Sequence, residues 1–302
     1  MDLIAAEGIE KRFGQLTALR DISLRVRRGE LYGLIGPDGA GKTTFFRILT
    51  TLMLPDGGRA TVDGLDIATD YRRIRAAVGY MPGRFSLYPD LTVKENLEFF
   101  ATLFGTRLED NYDLIRDIYV QIEPFRSRRA GRLSGGMKQK LALCCALIHR
   151  PRVLFLDEPT TGVDVVSRHE FWDMLSGLKR QGITMLVSTP YMDEAVRCDR
   201  IALIQSGRLL SIDTPRGIIE NYPDALFEVR AENMRQLTDE IRKRCSPQSC
   251  FAFGRSLHVS FSRDDVEAPQ RMRVALTAAG CTNLEIAPIT PSIEDCFIQQ
   301  MR

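Results

Sequence analysis

The chain has 302 residues, of which 44% are hydrophobic and 26% charged, and a formal net charge of +2. This length exceeds one domain of typical size, so we expect one large domain and one small domain. The longest apolar runs, such as residues 141–148, are too short to span a membrane. The N-terminus lacks the basic region of a signal peptide, and seven cysteines without a C-x-x-C pair favour a reducing cytosol over disulfides or zinc.

The first segments of the chain predict short strands, at residues 4–9 and 22–26. A third apolar run at residues 31–35 predicts a buried strand, and residues 45–49 predict a helix. The loop between them has the pattern G-x-x-x-x-G-K-[ST], in which glycines let main-chain N–H groups approach a polyphosphate. It consists of Gly36, Pro37, Asp38, Gly39, Ala40, Gly41, Lys42, Thr43 and Thr44.

This loop predicts a nucleoside triphosphate site. Lys42 is expected to reach the β- and γ-phosphates and the Thr43 hydroxyl to ligate Mg²⁺, while the positive end of the following helix adds to the anion site. Glycine-rich turns also join strands to helices without binding a ligand, but the strand, loop, lysine and helix together argue against chance. Phe13 is a candidate for stacking on the adenine, although an isolated phenylalanine is as often part of a core.

A helical segment interrupts the strands that follow. Residues 78–81 predict a strand, and residues 92–121 carry a helical pattern that begins with a capping box at Thr92 and Glu95. We expect a helical subdomain over about residues 85–150. Near its end, Ser134 and two glycines precede another helix, which is a second N-terminus suited to an anion.

A buried strand at residues 153–156 ends in two carboxylates, Asp157 and Glu158. Ligands of doubly wound sheets collect at such strand ends, so Asp157 is expected to hold Mg²⁺, directly or through water. Glu158 is placed to orient or deprotonate the attacking water. Further strands are predicted at residues 183–188 and in a hairpin at 201–209.

The pattern changes near residue 221. From there to residue 302 the order of elements is β-α-β-β-α-β-α, which predicts a small ferredoxin-like α+β domain. We therefore expect domains at 1–220 and 221–302.

With these motifs in place, residues 1–220 resemble the nucleotide-binding domain of an ABC transporter, an α/β P-loop NTPase fold. The resemblance makes the loop at 36–44 the Walker A motif, residues 153–158 the Walker B strand with its catalytic glutamate, and Asp164 part of the D-loop. Phe13 falls at the aromatic of the A-loop. The signature motif corresponds to Leu133, Ser134, Gly135 and Gly136.

The C-terminal domain, with its segment 291–295, resembles the accessory domain of ATPase subunits in bacterial drug- and antibiotic-export systems. In this family two nucleotide-binding domains sandwich ATP, so that the signature of one completes the site of the other. The resemblance therefore implies ATP and Mg²⁺ as ligands, and membrane-spanning permease subunits and a second nucleotide-binding domain as partners. The partner domain is either identical or different. It also implies a place on the cytoplasmic face of the cell membrane, and no nucleic acid partner.

Two positions depart from the family pattern. Gly83 stands where the family has its Q-loop glutamine, and Pro190 stands where it has the switch histidine. Both also have a structural interpretation, since Gly83 suits a turn and Pro190 suits the first turn of a helix capped by Thr189. These departures predict ATP binding with slow hydrolysis.

The leading interpretation is an ATPase subunit that powers export. The alternatives are a regulatory subunit that holds ATP in a heterodimeric transporter, and a soluble ABC ATPase with no role in transport.

Overall fold

The structure is a computed structural model, and it describes residues 2–301. The chain divides after Pro215 into two compact units. The helix Pro215–Glu220 begins at this division, whereas the change of pattern in the sequence comes just after that helix. None of the helices in residues 2–301 combines the length and apolar composition that a bilayer-spanning helix requires.

The first unit alternates strands and helices. Its strands are β1 Asp2–Phe13, β2 Leu16–Arg27, β3 Leu31–Ile35, β4 Gly57–Val62, β5 Leu65–Asp66, β6 Val78–Met81, β7 Val153–Asp157, β8 Thr184–Thr189, β9 Arg200–Gln205 and β10 Arg208–Asp213. Its helices are α1 Lys42–Leu49, α2 Tyr71–Ala77, α3 Val93–Leu103, α4 Tyr112–Tyr119, α5 Gly135–Leu147 and α6 Val165–Arg180. Helix α7, Pro215–Glu220, begins at the last residue of this unit and continues into the second. Short 3₁₀ helices lie at Leu108–Asn111, Glu123–Phe125, Ala130–Arg132 and Met192–Arg197.

The central sheet has six strands in the order β10-β9-β3-β8-β7-β6. All neighbours are parallel except β9 and β10, which form the predicted hairpin. Every residue of β3, β7 and β8 is buried, as expected of parallel strands that are covered on both faces. Because β8 lies between β3 and β7, the loops that follow these three strands meet at one edge of the sheet.

A second sheet, in the order β2-β1-β4-β5, is antiparallel and shares its apolar core with helix α1. Phe46 of that helix packs edge-on against Phe155 of β7, with 6.1 Å between ring centroids. The helix is therefore anchored beside the strand that carries the acidic pair.

The predicted helical segment consists of α3, α4 and α5 with the short 3₁₀ helices between them. Its capping box is confirmed, since the Thr92 side chain accepts from the Glu95 N–H and the Glu95 carboxylate accepts from the Thr92 N–H.

The second unit has strands β11 Asp224–Arg230, β12 Ser249–Phe253, β13 Ser256–Ser262 and β14 Glu285–Pro288, and helices α8 Met234–Arg244, α9 Ala268–Ala278 and α10 Ile293–Gln300. All strand pairs are antiparallel and the sheet order is β12-β13-β11-β14. This order is consistent with the predicted ferredoxin-like unit.

Candidate functional site

The loop between β3 and α1 requires glycine at two positions. A Cβ atom on Gly36 would lie 2.1 Å from the carbonyl oxygen of Ile204, which is main chain and cannot move aside. Gly41 has φ of +105°, and its Cβ would lie 2.6 Å from the carbonyl oxygen of Ala18. The backbone of the loop is therefore held close to its neighbours in a conformation that L side chains rarely adopt.

Helix α1 begins at Lys42 directly after this loop. Among residues 2–301, no side chain caps its N-terminus. The first N–H groups of a helix have no acceptor within the helix, so those of Lys42, Thr43 and Thr44 suit an external anion. A triphosphate fits this arrangement because it brings several acceptor oxygens and negative charge to the positive end of the helix.

The Lys42 ammonium is directed back across the loop. Its side chain is 2% exposed, and Nζ donates to the carbonyl oxygens of Gly36 at 2.7 Å and Pro37 at 2.9 Å. It also lies 3.0 Å from Oε1 of Glu158, which forms an ion pair with it. The lysine and the carboxylate proposed from the sequence as catalytic therefore lie in direct contact.

Asp157 ends β7 with its carboxylate almost completely buried, at 1% exposure. The Ser188 hydroxyl donates to its Oδ1 at 2.6 Å, and Thr43 also hydrogen-bonds to the carboxylate. Burial raises the pKa of Asp157 above its usual value and the charge of Glu158 adds to this, while the hydrogen bonds from Ser188 and Thr43 oppose it. Thr43 and Asp157 offer the oxygen ligands that Mg²⁺ prefers.

Replacing Asp157 by asparagine is expected to stabilise the nucleotide-free fold. Because burial raises the folded-state pKa, ionising this carboxylate costs stability, which is lost as pH rises from the unfolded value through the folded one. A neutral amide removes this cost, so unfolding at pH 7 should require about 1 kcal/mol more. Thermal unfolding measures this change. Nucleotide should also bind with a smaller difference between Mg²⁺ and a chelator, because a charged metal ligand has been replaced by a neutral one. A less stable variant, or one whose nucleotide binding keeps the full Mg²⁺ dependence of wild type, would contradict the assignment.

Glu158 follows β7 with a positive φ of 50°, which is uncommon for a residue other than glycine. The main-chain N–H of Glu158 donates to two oxygens of Ser188, the carbonyl oxygen at 3.1 Å and the hydroxyl oxygen at 3.0 Å. Ser188 at the end of β8 therefore contacts the Asp157 carboxylate and the main-chain N–H of Glu158. The sequence analysis did not single out Ser188, although a polar residue at the end of a buried strand is a signal that could have found it.

A cavity of about 460 Å³ is lined by most of the residues that the sequence assigned to the nucleotide site: Phe13, Gly39, Gly41, Lys42, Thr43, Thr44 and Glu158. The Phe13 ring is 45% exposed, with the Lys11 ammonium 5.8 Å from its centroid. The cavity also has lining residues that the sequence analysis did not name, from β2 and from the β9–β10 turn: Leu16, Thr17, Ala18, Arg20, Ser206 and Gly207. Contacts between these segments and the loop depend on sheet order, which local patterns do not give.

The signature segment does not line this cavity within the described residues. Leu133 is buried, but Ser134 and Gly135 are exposed. The Ser134 side chain caps α5 by accepting from the Met137 N–H, and Asp164 caps α6 by accepting from the Ser167 N–H. Neither Ser134 nor Asp164 is among the described residues that line the chain's own phosphate cavity.

Gly83 and Pro190 lie at the same edge of the sheet as the acidic pair. A Cβ on Gly83 would lie 3.0 Å from the carbonyl oxygen of Asp157, so the loop after β6 approaches β7 closely. The suggestion that Thr189 caps a helix containing Pro190 is wrong, because Thr189 ends β8 and the 3₁₀ helix begins two residues after Pro190, at Met192. The Thr189 hydroxyl is engaged by Glu194 instead.

Comparison with known proteins agrees with this geometry. A family pattern described as ABC transporter matches residues 19–161. The chain is 37% identical to the probable multidrug ABC transporter ATP-binding protein YbhF of Escherichia coli, over 98% of this chain and 51% of that protein. It therefore spans about half the length of that relative.

Two further proteins are similar over most of their own length. The daunorubicin resistance ATP-binding protein DrrA2 of Streptomyces coeruleorubidus is 42% identical, over 98% of this chain and 94% of that protein. A dimeric structure of MJ0796, a bacterial ABC transporter cassette, superimposes with a TM-score of 0.63 and 25% identity, over 70% of this chain and 98% of that one. The chain therefore belongs to the family of ABC transporter ATP-binding proteins.

Proposed function

We propose that this chain binds and hydrolyses ATP to power a bacterial export transporter, and that its hydrolysis is slow. The observation that carries the proposal is the convergence of the glycine loop, Lys42 and Glu158 on one cavity, with Asp157 and Thr43 hydrogen-bonded beside it. Relatives whose names include multidrug transport and daunorubicin resistance support export.

In this function the loop amides and Lys42 hold the triphosphate, and Thr43 and Asp157 hold Mg²⁺. Bound Mg²⁺ neutralises charge on the β- and γ-phosphates. Lys42 exchanges its contact with Glu158 for the phosphate oxygens, which frees the carboxylate. Glu158 then accepts a proton from the attacking water, or orients it.

A second nucleotide-binding domain supplies the signature segment that completes the ATP site of this chain. The exposed Ser134 and Gly135 at the start of α5 are suited to the γ-phosphate held by a partner. ATP then favours the closed pair, and hydrolysis removes that preference. The membrane-spanning permease subunits convert this cycle into transport, and we place the chain at the cytoplasmic face of the membrane.

We attribute the slow hydrolysis of ATP to two missing side chains. Neither glycine at position 83 nor proline at 190 can donate a side-chain hydrogen bond to a developing charge. Loss of one such donor typically costs about a hundred- to a thousandfold in rate, and losses within one catalytic unit are not additive. Lys42, Asp157 and Glu158 remain, so binding is less affected than turnover.

The steady-state ATPase rate of the isolated chain tests this proposal. We expect tight Mg·ATP binding with turnover far below the typical enzyme value of about 10 s⁻¹. Glu158→Gln should lower the residual rate about a hundredfold further and retain ATP, because the amide cannot take the proton. Ordinary turnover that Glu158→Gln leaves unchanged would contradict the proposal.

A second candidate function is favoured by the same two positions. In a heterodimer this chain would hold ATP at an impaired site while its signature completes the partner's intact one. Purification with the associated membrane proteins separates the two candidates. A homodimer of this chain that transports by itself would exclude the heterodimer.

A further inference from the structure

A buried carboxylate outside the phosphate site joins three segments of the first unit. Glu194 lies in the 3₁₀ helix Met192–Arg197 and is 4% exposed. Its carboxylate accepts hydrogen bonds from the hydroxyls of Thr160, at 2.8 Å, and Thr189. It also accepts from Nε of Arg168 at 3.0 Å, which neutralises its charge. Each carboxylate oxygen is thus engaged by hydroxyl donors, and one of them also by the guanidinium.

Each donor belongs to a segment with a part in the proposed reaction. Thr160 lies two residues after Glu158 in the loop that leads to Asp164. Thr189 is the last residue of β8 and directly precedes Pro190. Arg168 lies one turn into α6, and its N–H donates to the Asp164 carbonyl oxygen at 2.9 Å. The carboxylate therefore ties the loop after the acidic pair to the loop at the switch position.

The hydrogen-bonded cluster around Glu194 resists displacement because its polar groups are buried. Thr160, Thr189 and Glu194 are all buried, so a displacement of one segment leaves buried polar groups without partners. The Arg168 guanidinium is fixed from a second side as well, since it lies 3.9 Å from the centroid of the Tyr191 ring. Tyr191 is itself held by its N–H, which donates to the Thr189 hydroxyl at 3.1 Å.

We propose that Glu194 is a positioning residue for ATP hydrolysis, which fixes the Glu158 loop against the loop that carries Pro190. This inference rests on the proposed function. It adds that the geometry around the γ-phosphate depends on a carboxylate that does not touch the nucleotide. A shift of about 1 Å in such supporting groups can lower a rate about a hundredfold, so a partial loosening should be measurable.

Glu194→Gln tests the proposal, with Asp193→Asn as a matched control. Both remove a carboxylate that contacts Arg168, but Asp193 is 74% exposed and has no contact with either threonine among the described residues. Glutamine keeps the volume and can still pair with the hydroxyls, which rotate to accept as well as donate. The readouts are the single-turnover rate of ATP hydrolysis, the Mg·ATP dissociation constant and the melting temperature.

We expect Glu194→Gln to lower the single-turnover rate about tenfold while the dissociation constant stays within about twofold, with Asp193→Asn near wild type. Thr160→Val should behave like Glu194→Gln, whereas Thr160→Ser, which keeps the hydroxyl, should restore the rate. This rescue separates positioning from a structural role.

Two results would overturn the proposal. One is an unchanged rate in Glu194→Gln and Thr160→Val. The other is a loss of rate, affinity and melting temperature in parallel, which indicates a structural role alone. If the wild-type chain does not bind Mg·ATP, the proposed function is wrong, and this inference is then wrong as well. That result is seen in wild type, so it can be told apart from the two results in the variants.

Discussion

Replacing Lys42 by methionine is expected to weaken Mg·ATP binding about a hundredfold or more. The ammonium is the buried positive charge of the phosphate loop, and methionine keeps most of its volume while removing all three donors. Truncating a buried hydrogen-bonded charge pair typically costs about 2–5 kcal/mol, and each 1.4 kcal/mol is a factor of ten in affinity. Equilibrium binding of Mg·ATP to the folded variant measures this effect.

Lys140→Met is the matched control. Lys140 is also mostly buried, and its Nζ lies 2.8 Å from the Glu170 carboxylate, away from the phosphate loop. The variant should bind ATP like wild type. Equal losses in the two variants would show that Lys42→Met acts through the fold, and unchanged binding in Lys42→Met would remove the basis of the assigned site.

Introducing the missing side chains is expected to give the largest gain in activity. Pro190→His should raise the single-turnover rate up to about a hundredfold, because an imidazole at this edge of the sheet can donate to the charge that develops on the γ-phosphate. Pro190 directly follows β8, and Ser188 near the end of that strand hydrogen-bonds both acidic residues, so the added side chain starts at the same end of the sheet as the acidic pair. Single-turnover hydrolysis of bound ATP measures the gain.

Pro190→Ala is the control, since it restores the main-chain N–H without the imidazole, and its rate should stay low. Gly83→Gln alone should give less, because its Cβ would lie 3.0 Å from the Asp157 carbonyl oxygen and the loop must first move away. The double variant should exceed either single one. A rate that Pro190→His leaves at the level of Pro190→Ala would show that the slow step lies elsewhere.

Much of the fold could be predicted because its signals are local. The run at β3, the glycine loop and the start of α1 follow directly from chain order, and the acidic pair lies at a strand end where parallel strands place their ligands. The capping box at Thr92 and the alternation of strands and helices after residue 221 are equally local. The structure places Lys42 and Glu158 in contact. The sequence suggested this only because both residues were assigned to the same nucleotide site.

The remaining features depend on packing between distant segments. Ser188 contacts both acidic residues only because β8 lies beside β7, and Arg20 reaches the cavity only through the second sheet. The Thr189–Pro190 segment has a sequence suited to a helix start, but the hydrogen bonds of Thr189 to Glu194 and Tyr191 keep it as a strand end. Local propensity is overridden there by a buried polar cluster.

The structure of the Glu158→Gln variant determined with Mg·ATP tests the central claim most directly. We predict a triphosphate along Gly36–Thr44 with Nζ of Lys42 on its oxygens, and Ser134 of a second nucleotide-binding domain over the same γ-phosphate. Nucleotide bound elsewhere, a phosphate loop that stays free at saturating Mg·ATP, or a loaded site that no second domain can reach would contradict the account.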